Sequence, residues 1–161
     1  MTKLRKLTAL LLAGALTLLL LTACSGGGGS SGPEAQAEAE VMRAIRSNPA
    51  TKSLEYDVNM CNIAENELAN TNLDTELKGS IGGYGVYHKV NIDSKKSTLT
   101  LIAQYDYKGT KLEELIKYIT SDSNASSLNY NQAGRWTKVG VAAKIHQGQT
   151  YIAITLQVKK T

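Results

Sequence analysis

Apolar residues fall at helical spacing in three separate stretches of this chain and at strand spacing in the stretches between and after them. The first is "PEAQAEAEVMRAIRSN", where Ala37, Val41, Ala44, Ile45 and Asn48 follow a three-four rhythm. Pro33 suits the first helical position, the early glutamates complement a helix N-terminus, and Pro49 stops the run. A second helix is expected at about 57–70, with Asp57 as N-cap and Met60, Ile63, Ala64 and Leu68 as its buried stripe. The third, "TKLEELIKYI", is the clearest. Leu112, Leu115, Ile116 and Ile119 share one face, and Thr110 with Glu113 forms a capping box.

Strand patterns fill the rest. In "GSIGGYGVYHKV" (79–90) Tyr84, Val86, His88 and Val90 alternate, and "STLTLIAQYDY" (97–107) is rich in β-branched and apolar residues. "NIDSKK" is the turn between them. "TKVGVAAKI" and "TYIAITLQV" flank "HQGQ" and predict a β-hairpin with Val139, Val141, Ile152, Ile154 and Leu156 facing a core. The order helix, helix, strands, helix, hairpin predicts an α+β domain whose helices cover an antiparallel sheet. Between the third helix and the hairpin, "SDSNASSLN" has the composition of a solvated connection. Its Asn124-Ala125-Ser126 is formally a glycosylation sequon.

The first 24 residues change this picture by giving the domain an address. Lys3, Arg5 and Lys6 precede an apolar run through Leu21, which ends in "LTAC". A basic start, an apolar middle and a small-residue cleavage site make a secretory signal. Leu21-Thr22-Ala23-Cys24 also has the bacterial lipobox pattern, in which the cysteine receives lipid and becomes the new N-terminus. The alternative is a transmembrane anchor, because the run is near the lower limit of ~17–18 residues for a span. "SGGGGSSG" follows at once and fits a flexible tether better than the flank of a span. The expected organisation is a signal peptide over 1–23, lipidated Cys24 with a tether over 24–37, and a folded domain over 38–161. Two acyl chains on Cys24 give stable attachment to the outer side of the cell membrane.

Removing residues 1–23 leaves fifteen basic and fourteen acidic residues, a net charge of +1 instead of the +4 of the whole chain. The basic balance therefore belongs mostly to the signal, and no nucleic-acid partner is expected. With Cys24 committed to lipid, Cys61 has no cysteine to pair with in the chain. It lies among apolar residues at helical spacing, as expected of a buried, inert thiol.

The order of these segments resembles the CAP superfamily, the secreted domains named for cysteine-rich secretory proteins, antigen 5 and pathogenesis-related 1. "SLEYDVNMCNIAENELA" is similar to the family's second-helix motif, with Leu54, Asp57, Met60, Ile63, Ala64 and Leu68 in corresponding places. "TKLEELIKYI" resembles the helix before the family's active loop. "WTKVGVAAKI" with "QTYIAITLQV" resembles the closing hairpin, Val139-Gly140-Val141 matching I-G-V. The likeness covers about 41–158. It implies a three-layer α-β-α sandwich with a central antiparallel sheet, and a cleft where two histidines and one or two glutamates can hold a divalent metal. This chain departs from that site: "NTNLDTELKGS" has no histidine, Gln104 stands near the expected glutamate, and "TSDSNASSLN" replaces the S-P-G-H-R segment.

His88 and His146 are the only histidines and are far from the family's positions, so no metal or other cofactor is expected. Glu113 and Glu114 fit capping and solvation, since adjacent helical residues do not face one another. Tyr84, Tyr87, Tyr105 and Tyr107 form the candidate binding surface, aromatic faces and hydroxyls along a groove suited to peptide, glycan or lipid. The competing reading has them filling the half-exposed face of a sheet. Trp136 is expected to plug the end of the core. The functional expectation is a membrane-anchored, non-enzymatic binding module with an unknown envelope ligand or protein partner. Two alternatives stand beside it: an envelope hydrolase using Glu67, Glu76 or Asp106 on peptide or cell-wall substrates, and a carrier of an apolar ligand.

Overall fold

The computed structural model describes residues 32–81, 84–92, 96–105, 112–119 and 136–159; for 80–81, 84–92, 96, 118–119 and 159 it describes the backbone alone. The described elements run α1 (Pro33–Ser47), β1 (Glu55–Tyr56), α2 (Val58–Asn70), β2 (Gly79–Ile81), β3 (Tyr84–Ile92), β4 (Lys96–Tyr105), α3 (Leu112–Ile119), β5 (Trp136–His146) and β6 (Gln149–Lys159). The strands form one sheet in the order β1-β5-β6-β4-β3-β2. This is a mixed fold in keeping with the α+β class. The sheet is antiparallel except at one edge, where β1 pairs parallel to β5 through Glu55↔Lys138 and Tyr56↔Val139. That departure from a wholly antiparallel sheet has a local cause. β1 is a two-residue approach to α2, and Asp57 extends it by donating its N–H to the Val139 carbonyl at 3.0 Å before the helix begins.

Local chemistry sets the helix ends. Pro33 opens α1, and its first helical residues already enter the core: Ala35 and Ala37 are buried. Residues of α1 ahead of position 38 thus already pack into the core. Asn48 closes α1, its side chain accepting from Ala50 N–H, while the Thr51 hydroxyl donates to the Ile45 carbonyl at 2.6 Å. At α2, Asp57 caps the helix by accepting from the N–H groups of Asn59 and Met60. The α2 stripe is Met60, Cys61, Ala64 and Leu68; Ile63 is half-buried. Thr110, the expected cap of α3, lies outside the described residues.

Strand alternation sorts the core onto the two sheet faces. On one face Leu99, Leu101 and Ala103 of β4, Val139 and Val141 of β5, and Ile152, Ile154 and Leu156 of β6 pack against Val41 and Ile45 of α1 and Leu115 and Ile116 of α3. On the other, Ile102, Ala142, Tyr151 and Ala153 pack against Ala64 and Leu68 of α2 and against Leu73. This second face also buries Thr100 and Thr155, whose hydroxyls bond each other at 2.8 Å, so neither is left unsatisfied. Gly140 lies in the same row, directly beneath the first turn of α2. A Cβ there would stand 2.2 Å from Cys61 N and 2.3 Å from the Met60 carbonyl carbon. The β5–β6 hairpin turns through Gln147 (φ 49°) and Gly148 (φ 77°), two consecutive left-handed residues as in a type I′ turn.

Candidate functional site

The most developed polar arrangement lies where α1 runs along the edge of β5. Beyond Val139, β1 no longer pairs with β5, and its outward amides need other acceptors. Two glutamates on one face of α1 supply them. Glu38 Oε1 accepts from Ala143 N–H at 3.0 Å, and Glu34 Oε1 accepts from Ile145 N–H at 2.7 Å. The match is geometric: four residues of helix rise about 6 Å, and two residues of strand span nearly the same distance. The helix thereby blunts an edge that would otherwise be open to another strand.

Burial pushes the Glu38 carboxyl up to about 7, against the lowering effect of the Ala143 N–H, and the charges of Glu65 on α2 and Glu34 on α1 raise it further. A carboxyl poised there exchanges its proton around neutral pH. Two residues further along α1, Glu40 accepts from the Tyr105 hydroxyl on β4 and, at 3.2 Å, from Gln36 Nε2. Gln149 at the start of β6 donates to the Tyr105 carbonyl at 3.0 Å. Helix α1 is therefore tied by carboxylates to β4 and β5.

Two further polar pairs lie on the α2 side. His146 Nε2 stands 3.2 and 3.1 Å from the two carboxylate oxygens of Asp74, and its ring meets the Tyr151 ring edge-on with centroids 6.2 Å apart. This pair joins the hairpin end to the turn after α2. Lys138 on β5 forms an ion pair with the capping carboxylate of Asp57, which holds that carboxyl below its usual range. The buried Cys61 thiol donates to the Tyr56 hydroxyl at 3.1 Å. Among the described residues no group of three His, Cys, Asp or Glu side chains is placed to hold a metal ion.

Of the expected binding tyrosines, Tyr105 alone has a described side chain. Tyr105 is 3% exposed and belongs to the core face under α1, so it corrects the expectation of a groove-lining aromatic. Alternation put it on the same face as Leu99, Leu101 and Ala103, and that face is covered by helices. Tyr84 pairs with Ile81 across β2–β3, and Tyr87 with Ile102 across β3–β4. Their side chains, like that of His88, lie outside the described part, as do Tyr107, Cys24, Asp106 and the Asn124 sequon. Glu67 lies half-buried on α2, Glu76 is exposed beyond it, and Glu113 and Glu114 are exposed on α3. Trp136 packs half-buried against the core, its buried Nε1 without a hydrogen-bond partner among the described residues.

Sequence reasoning passed over Glu34, Glu38 and Glu40, which read as ordinary helix-start acids. The available signal was the i, i+4 spacing of Glu34 and Glu38 on a helix beside a strand rich in small residues. No family model, no curated protein and no solved structure matches this chain.

Proposed function

We propose that this chain is a lipid-anchored protein of the bacterial cell envelope, facing away from the cytoplasm. Its α+β domain serves as a non-enzymatic binding or interaction module. The observation that carries the reading is Leu21-Thr22-Ala23-Cys24 followed directly by "SGGGGSSG", with helix α1 starting at Pro33. A tether of that length and composition has a root-mean-square reach of about 16 Å, enough to hold a domain just off a membrane surface. The two core clusters on opposite sheet faces support a three-layer α-β-α arrangement of the CAP type. The residues that stand where that family places its site, Gln104 and the "TSDSNASSLN" segment, favour binding over metal chemistry.

The binding role is tested on the full chain in detergent by zinc titration and a screen of peptide and glycan substrates. The reading expects neither tight zinc binding nor turnover. Zinc bound tightly in the wild type and lost in His88→Ala would overturn it. The competing reading, an envelope hydrolase, draws on the His146–Asp74 pair, an imidazole oriented by a carboxylate. Substrate turnover abolished by His146→Ala would establish that reading instead.

A further inference from the structure

Among the described residues, the edge of β5 past β1 is closed by side-chain carboxylates instead of a strand, and the three acids gathered there come from both sides of the sheet. Glu34 and Glu38 arrive on α1 and hold the Ile145 and Ala143 amides at 2.7 and 3.0 Å, while Glu65 arrives on α2. We propose that α1 is a proton-responsive strap over the edge of β5, docked when Glu38 carries a proton and loosened when Glu38 is ionised beside Glu34 and Glu65. A protonated Glu38 still accepts from Ala143 N–H through its carbonyl oxygen, so protonation removes repulsion and desolvation cost without removing the bond.

Among the described residues, Glu38 has no neutralising cation beside it. On β5, Lys144 and His146 alternate with Ala143 and belong to the row of Ala142, on the α2 side. On α3, Glu113, Glu114 and Lys117 are exposed, and Glu40 on α1 is engaged with Tyr105. None of these is among the groups that act on the Glu38 carboxyl. The sign follows from linkage. A carboxyl raised from 4.5 to about 7 in the docked state binds its proton more tightly there than when released. Docking is therefore strongest below the released value and weakens as pH rises through 7. Loosening would free the Ala143 and Ile145 amides for another acceptor. It would also add the length of α1 to the Gly/Ser stretch that precedes it.

Residue-resolved hydrogen–deuterium exchange on the full chain in detergent micelles, from pH 5.5 to 8.5 and corrected for intrinsic rates, reads the strap directly. Protection of the Ala143 and Ile145 amides should fall at least about tenfold across pH 7, one pKa unit of the linkage, while the Ile154 amide in the core of β6 keeps its protection. Glu38→Gln should hold the edge protected to pH 8.5, and Glu65→Gln should move the fall to lower pH. A pH-independent edge, an equal fall in Glu38→Gln, or a parallel loss at Ile154 would each overturn the proposal. If Glu38→Gln does not fold, the carboxyl carbon of Glu38 in the wild type decides by NMR. A midpoint near 7 supports the strap, and one below 5 overturns it.

Discussion

Single residues fix how closely the helices approach the sheet. Gly140 is the sharpest case, because α2 presents backbone to it and backbone cannot rotate away as a side chain can. Gly140→Ala should destabilise by about 3 kcal/mol, the upper part of the usual cost of overpacking, measured by urea unfolding. An effect near zero would mean that α2 does not sit on β5 there. Asp57 combines two tasks, capping α2 and pairing with Lys138. Asp57→Ala should cost about 1 kcal/mol through the cap. The pH dependence separates the tasks. Hydrogen bonding from Lys138 lowers the Asp57 carboxyl below its ordinary 3.8, so its stabilisation is full at neutral pH and is lost as pH falls through the lowered value. Asp57→Asn keeps a capping oxygen and should flatten that acid limb; an unchanged acid limb would contradict the pairing.

At the scale of elements, α1 is held by a thin apolar stripe and by carboxylates, and the hairpin by its turn. Ile45→Ala removes one of the few large side chains of that stripe and should cost about 3 kcal/mol, with a matching loss of protection at the β5 edge. Gly148→Ala places a side chain in a left-handed position and should cost about 1 kcal/mol without altering the fold. Much at this scale was legible. The Leu112–Ile116 spacing, the Asp57 cap, Pro33 at the start of α1 and the Val139/Val141 with Ile152/Ile154/Leu156 alternation all follow from local rules that tertiary contacts reinforce. What was not legible depends on partners distant in sequence. Tyr105 reads as a half-exposed sheet tyrosine until α1 covers it. Glu38 reads as a solvated helix acid until β5 offers it an amide more than a hundred residues away.

For the molecule as a whole, the structure adds the two-sided core that unites α1, α2 and α3 around one sheet. The proposed role rests on where that domain is held, so the N-terminus carries the account. Mass spectrometry of the full-length protein recovered from bacterial membranes, alongside Cys24→Ser, tests it most directly. The account predicts a mature chain that starts at Cys24, lacks residues 1–23, carries two acyl chains on a diacylglyceryl thioether, and is not formed in Cys24→Ser. A membrane-bound chain that retains residues 1–23 with an unmodified Cys24 would contradict it.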